Sequence, residues 1–474
     1  MTDLPQIHLD STINTSLHRQ LYNTLRNAIL DGVLPHGTKL PATRALANAH
    51  GISRNTVLAA FEDLIAEGFL ESKIGAGTFV AHTSSPKQQI AAQELSKRGL
   101  ELSSIAVSIP RENRIAAFRH GIPDFNLFPW DIWTRLYSRA ARNQPNLGYA
   151  DPLGELALRS AIAAHVAATR AVHCRPEQII ITSGSQQAIF LAAQLLLEPN
   201  DLVWFENPGY LGARAALSFA KAQIMPIPVD QYGLDVMAGQ QIADAARLVY
   251  VTPSHQYPTG VTMSHTRRLE LLNWANKTNA WILEDDYDSE YRYDHRPLES
   301  LQSLDSHGRV IYIGTFSKVL FPALRLGYMI VPSNLSAAFA LSRAIQDRGS
   351  STLEQQTLTA FMQQHHFARH IRRTQKHYLQ RREVLRHNIE KYIPSLELQG
   401  FDAGMHLCAW LTGGQDDTKI SKMASEHGLE VMPISAYSQM PLARGGFLLG
   451  YAAVPPKALE EAVKKLAQII SARQ

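Results

Sequence analysis

A lysine, an aspartate and a hydroxyl-rich turn define the chemistry open to this chain. Lys318 closes Gly314-Thr-Phe-Ser-Lys318 just after an apolar run at residues 310–313, and Asp285 stands in Glu284-Asp285-Asp286-Tyr287 after a similar run from 281. A third stretch, Thr182-Ser-Gly-Ser-Gln-Gln187, leads from an extended run into an apolar helical segment at 188–197. Backbone N–H groups and the helix dipole make such a turn an anion site. Arg325, seven residues after Lys318, adds a fixed positive charge, and Thr315 and Ser317 add hydroxyls. Pyridoxal 5'-phosphate needs this set: a lysine for its aldehyde, a carboxylate that keeps its ring nitrogen protonated, donors for its phosphate and a flat partner for its ring.

The elements that must position these groups are legible as well. Short β-rich runs at 179–182, 202–205, 248–251, 281–284, 310–313 and 328–331 alternate with helical segments. Continuous apolar strands separated by helices predict an α/β body with a mainly parallel sheet covered on both faces. Ligands in such sheets bind beyond the carboxyl ends of the strands, so the polar motifs that follow the strands are expected to converge.

The first 80 residues follow another pattern. Leu17, Leu21, Leu25 and Ile29 form an i+4 apolar stripe that ends at Asp31-Gly32. Thr43 is read as the cap of a second helix to Ala49, and Ser53, after Gly51, as the cap of a third to about Ala66. This is helix-turn-helix spacing, and it points Arg54, Asn55 and Thr56 at base edges in a major groove. Two short strands follow around a Gly-rich tip whose backbone can approach phosphates or a minor groove. Bulk charge does not support the idea: residues 1–80 hold six Lys and Arg against seven Asp and Glu, so the case rests on position.

Between these parts, residues 81–114 lack apolar periodicity and are read as a linker with transient helix. The domain reading is therefore a DNA-binding head at 1–80, that linker, and a cofactor-binding body at 115–474. With 474 residues the chain can build a large core. No signal-like or membrane-spanning run is seen, so a cytoplasmic protein is expected. Cys174 and Cys408, the two cysteines, are read as buried free thiols, and histidine spacing gives no metal expectation.

LPATRALA, GISRNTV and GAGTFV resemble, in order and spacing, the GntR-type winged helix. The resemblance adds Arg44 to Arg54, Asn55, Thr56 and the tip residues Gly75, Gly77 and Thr78 as the DNA-facing set. The body resembles the fold-type I, aspartate-aminotransferase-like family from Phe118 to the C-terminus. That implies Lys318 as the cofactor-bonding lysine, Asp285 as partner of the pyridine nitrogen and Tyr287 as partner of the ring hydroxyl. It also implies Gly184, Ser185, Gln186, Thr315, Ser317 and Arg325 around the phosphate, Tyr210 stacked on the ring, and Tyr149 reaching the phosphate of a second subunit.

Two departures stand out. The Asn-Pro-Thr-Gly turn of transaminases is here Ser254-His-Gln-Tyr-Pro-Thr-Gly260, with Tyr257 at the asparagine position and His255 or Gln256 left to compensate. The late arginine that grips a substrate carboxylate has no counterpart in Gly446-Phe-Leu-Leu-Gly-Tyr-Ala452, which leaves Arg444 or Arg214 as effector-binding candidates.

The fusion of this head and body, with HQYPTG and EDDYDSEYRY in place, closely resembles the MocR subfamily of GntR regulators, which includes GABA-responsive and pyridoxal-phosphate-responsive members. The resemblance implies a head-to-tail homodimer on double-stranded operator DNA, with pyridoxal phosphate or an amino compound as effector. A working aminotransferase with an accessory head is the alternative. A basic run from Arg369 through Arg382 is read as a solvated face or a second DNA-contacting surface.

Overall fold

The computed structural model describes residues 7, 9–10, 13, 15–81, 95–103, 115–142, 148–293 and 298–471, and divides into units Met1–Lys97 and Arg98–Gln474. In the first unit, α1 (Leu17–Leu30), α2 (Thr43–His50) and α3 (Arg54–Ala66) precede a hairpin of β1 (Leu70–Lys73) and β2 (Gly77–Val80). Three of the four stripe residues, Leu21, Leu25 and Ile29, are buried with Val57, Phe61, Leu64, Leu70 and Val80 in one core, whereas Leu17 is only half-buried. Ser53 caps α3, its hydroxyl accepting from the Thr56 N–H at 3.0 Å, a bond worth about 1 kcal/mol at such a site. Thr43 is not a cap. It is the first residue of α2, and Ala42 at the cap position offers no side-chain acceptor.

The division falls within α4 (Lys97–Ser103), after its first residue. The second unit continues with α5 (Trp130–Arg142), α6 (Leu156–Arg170), β3 (Ile179–Thr182), α7 (Ser185–Leu196), β4 (Leu202–Asn207), α8 (Leu211–Phe219), β5 (Gln223–Asp230), β6 (Gly233–Leu234), α9 (Val236–Ala243), β7 (Leu248–Val251), α10 (His265–Thr278), β8 (Trp281–Asp286), α11 (Leu301–Leu304), β9 (Val310–Thr315) and β10 (Gly327–Ile330). After α12 (Ser336–Asp347), α13 (Thr352–Gln363) and α14 (His366–Tyr392) come β11 (Leu396–Gln399), β12 (His406–Leu411), α15 (Asp417–Glu426), β13 (Met432–Pro433), β14 (Gly446–Gly450) and α16 (Pro456–Ser471).

The large sheet has the order β3-β10-β9-β8-β7-β4-β5-β6. Strands β4, β5, β7, β8 and β9 pair in parallel, whereas β10 is antiparallel to both neighbours. That reversal places the start of β10 at the edge where β3 and β9 end, with Gly327 opposite Thr182 and Thr315. Arg325, two residues earlier, is thereby delivered to the functional edge. A smaller antiparallel sheet, β11-β12-β14-β13, packs with α14 and α16 through residues such as Leu385, Leu407, Leu449, Leu459 and Leu466.

Candidate cofactor site

Lys318, Asp285 and the 182–187 turn meet at that edge. Asp285 is buried at the end of β8, where Tyr250 on β7 donates to its Oδ2 at 2.7 Å. Its other oxygen, Oδ1, has no hydrogen-bond partner among the described residues. Burial raises the Asp285 carboxyl to about 7, against the lowering effects of the Tyr250 hydroxyl and the Lys318 cation. An unpartnered buried acceptor of this kind fits a pyridine N–H, whose positive charge would favour the ionised carboxylate.

Lys318 Nζ donates to the Gly121 carbonyl at 3.0 Å. Burial lowers its pKa, against the raising effects of Asp288 and Asp285. A nucleophilic amine needs this direction of shift. Gly121 has φ 68°, a conformation that favours glycine, and a Cβ there would lie 2.6 Å from the Lys318 Nζ.

The anion turn is built by close approach. Gly184 has φ 125° at the cap of α7, and a Cβ on Gly327 would come within 2.8 Å of Gly184 Cα. The Arg325 guanidinium lies beside it, 3.7 Å from the ideal Gly184 Cβ position. Ser185 opens α7, and Thr315 Oγ1 accepts the Ser317 N–H at 3.2 Å. The Gln186 side chain, by contrast, donates to the Gly212 carbonyl at 2.8 Å, so that residue offers the turn its backbone. Tyr210 occupies the N-cap position of α8 and packs edge-on against Tyr257, 5.6 Å between ring centroids.

His255 and Gln256 part company. Gln256 donates to the Pro208 and Tyr257 carbonyls at 2.9 and 2.7 Å and accepts from Thr259, so its amide braces the loop and cannot serve the ring hydroxyl. His255 Nδ1 lies 3.1 Å from Asp288 Oδ2 and 3.0 Å from the Tyr287 hydroxyl, which also donates to the His255 carbonyl at 2.9 Å. His255 thus orients Tyr287. A carboxylate-backed ring nitrogen also leaves its Nε2 as an acceptor, and that atom has no partner among the described residues.

Several residues of the site escaped the sequence reading. His406, on β12, lies 4.7 Å from His255 by ring centroids, and ligand atoms of His255, Asp288 and His406 fall within 4.8 Å of one another. Burial pushes His406 well below the usual histidine value and His120 to about 3, the latter aided by Lys318. Behind Asp285, Asp286 accepts from Arg170 at 2.7 Å, Tyr312 at 2.5 Å and Ser289 at 2.9 Å. His255 and His406 are 151 positions apart in numbering, one in the loop after β7 and the other on β12 of the small sheet, so no spacing signal connects them.

Arg444, one of the two effector-binding candidates, lies at the surface. It pairs with Glu397 and stacks on Trp410 at 5.3 Å, with its side chain 41% exposed. Arg214 is half-buried on α8 and its pKa is lowered by desolvation. Tyr149 is 81% exposed under Arg348, 4.8 Å from the ring centroid, within its own chain. In the basic run, Arg369, Arg372, Arg373 and Lys376 are exposed, but Arg381 is buried on Asp124 at 2.6 Å. It belongs to the core and not to a solvated face. Cys408 is buried and Cys174 only partly so.

In the head, Arg44, Arg54, Asn55, Gly75 and Gly77 are exposed and Thr78 is half-buried. Thr56 differs, because its hydroxyl lies 2.8 Å from that of Ser53 and is engaged in the cap.

Fold and site together define a GntR-type winged helix joined to an aminotransferase-like body. The GntR family of bacterial regulatory proteins matches residues 17–80, and the class I and II aminotransferase family matches residues 117–466. The chain is 38% identical to the probable rhizopine catabolism regulatory protein MocR of Rhizobium meliloti, over 97% of this chain and 94% of that protein. It is 29% identical to the pyridoxine biosynthesis regulator PdxR of Corynebacterium glutamicum, over 99% of both. A kynurenine aminotransferase structure from Pyrococcus horikoshii matches with a TM-score of 0.71 and 27% identity, covering 81% of this chain and 96% of that one. The chain belongs to the MocR-type GntR transcriptional regulators. Among the described residues no helix is long and apolar enough to cross a membrane.

Proposed function

We propose that the chain regulates transcription by coupling operator binding in the head to pyridoxal phosphate chemistry in the body. The observation that carries the cofactor half is the unpartnered, buried Asp285 Oδ1 beside Lys318 and the Gly184–Arg325 anion turn. Pyridoxal phosphate supplies an electrophilic carbon for amines when bound. The chain's own groups do the rest. Asp285 holds a proton at the ring nitrogen, His255 and Asp288 fix the Tyr287 hydroxyl toward the ring hydroxyl, and the turn binds the phosphate. The effector is pyridoxal phosphate itself or an amino compound reacting with it. The lack of an arginine in residues 446–452, where transaminases grip a substrate carboxylate, favours this reading over amino-acid transamination.

The head reads operator DNA through Arg54 and Asn55, with Arg44, Gly75, Gly77 and Thr78 on the backbone. The working form is a head-to-tail homodimer in which Tyr149 meets the partner's phosphate, with domain limits near residues 80 and 114 and a cytoplasmic location. Moving the head between placements from 1:99 to 99:1 requires about 5.5 kcal/mol of differential affinity. The test is reciprocal. If cofactor changes operator affinity, operator must change cofactor affinity by the same factor. Identical DNA-binding curves across a cofactor series would remove the sensing role and restore the enzyme reading.

A further inference from the structure

A cavity of about 530 Å³ lies in the body between α6, α14 and residues 289–293, outside the cofactor site. That volume is in the range of small-molecule pockets. One wall is a face of α14, where Ile371, Arg372, Gln375, Lys376 and Leu379 recur at the spacing that puts them on one side of a helix. Gln375 donates to the Glu290 carbonyl at 2.6 Å and fixes that face against the loop. Tyr293 and Leu298 complete an apolar lining.

The charges around this cavity do not balance. Arg372 and Lys376 stand four residues apart, and like charges at that spacing repel. Glu290 is the one carboxylate that lines the cavity among the described residues, and it lies 3.8 Å from His165. Later on the same helix the cations are compensated: Arg382 meets Glu383 at 2.8 Å, and Arg386 meets Glu383 and Glu390 at 2.9 and 2.7 Å. An uncompensated pair beside an apolar-lined cavity is complementary to an anion joined to an apolar body. Duplex DNA would meet such cations on an open face and gain nothing from the cavity beside them.

Arg170 lines the cavity too, and it holds both cofactor loops. Its guanidinium donates to Asp286 Oδ2 at 2.7 Å, to the Ser254 hydroxyl and to the Leu298 carbonyl at 2.6 Å. Asp286 follows Asp285, and Ser254 precedes His255. We propose that the cavity is a second ligand site, which takes a small phosphate monoester with an apolar body through Arg372 and Lys376, and whose occupant acts on the cofactor through Arg170. The coupling, though not the site, rests on the reading of the body as binding pyridoxal phosphate.

The experiment uses full-length protein loaded with pyridoxal phosphate, so that the cofactor site is filled, and phenyl phosphate as probe, which has no aldehyde for Lys318. Calorimetry is expected to show one phenyl phosphate per chain, with inorganic phosphate and phenol each bound about tenfold more weakly or worse. Arg372→Gln combined with Lys376→Gln should lower phenyl phosphate affinity about tenfold or more, whereas Arg386→Gln should leave it unchanged. Both side chains of the double variant are exposed, so the fold is not at stake. Loss of cofactor absorbance on dilution into a pyridoxal phosphate scavenger reports the coupling, and phenyl phosphate should change that rate several-fold in the wild type but not in the double variant. Equal phenyl phosphate binding by wild type and double variant, or none by either, would overturn the site. Equal affinity for inorganic phosphate would overturn the apolar half of the ligand, and an unchanged release rate would overturn the coupling. A double variant that keeps phenyl phosphate but loses operator affinity would assign the two cations to DNA instead. Protein that never loads cofactor would overturn the reading on which the coupling rests.

Discussion

In the head the residues assigned to DNA point outward. Arg54 and Asn55 are exposed on the first turn of α3, and the helix itself is fixed by the Ser53 cap and a small apolar core. In the body the assigned residues point inward: Asp285, His255 and His406 are buried at the ends of β8, in a loop and on β12. A groove reader must keep its donors free for a partner that arrives from solvent. A cofactor site must instead hold its groups away from water, with each polar atom bonded except those the cofactor will meet. The unpartnered Asp285 Oδ1 is the mark of the second strategy.

Four experiments break or sharpen that contrast. The largest effect is expected for Lys318→Ala, which should abolish the visible absorbance of the cofactor-loaded protein. An unchanged spectrum would place the reactive amine elsewhere. Asp285→Asn comes next. A buried pyridinium left without its carboxylate costs about 3–5 kcal/mol, so cofactor affinity should fall roughly a hundredfold or more, as a titration of absorbance would show.

Arg54→Ala should cost about 1–3 kcal/mol in operator binding and relax specificity at one position. Equal losses on operator and random DNA would make Arg54 a phosphate contact. The smallest effect is expected at Arg444, whose partner Glu397 and its own side chain are both well exposed. Such pairs contribute about 1 kcal/mol at most. Arg444→Ala should leave stability and effector response nearly unchanged, and a lost response would return it to the effector site.

The pH dependence follows from burial. Asp285, Glu206 and Glu284 are all raised to about 7, chiefly by desolvation. The unfolded chain loses these protons near the ordinary values of 3.8 and 4.5. Between about pH 4 and 7 the folded state therefore binds more protons, and stability falls as pH rises. Thermal melts of cofactor-free protein should show this slope, and Asp285→Asn should flatten it. A slope unaltered by Asp285→Asn would mean that this carboxyl keeps an ordinary pKa.

The sequence by itself determined the two-part architecture, the head's helix order and the meeting of Lys318, Asp285 and the 182–187 turn. Each follows from a local rule: an i+4 stripe, a cap residue, or the convergence of strand ends in a mainly parallel sheet. What only the tertiary structure decided was the use of side chains whose neighbours are distant in the chain. Gln256 looked available in the sequence, yet its amide is taken up by the Pro208 and Tyr257 carbonyls. His406 carried no signal at all, and it reaches His255 only because the small sheet packs where it does. Hydrogen-bond partners are set by which surfaces pack together, and a linear pattern records which face of an element is apolar but not which neighbour will cover it.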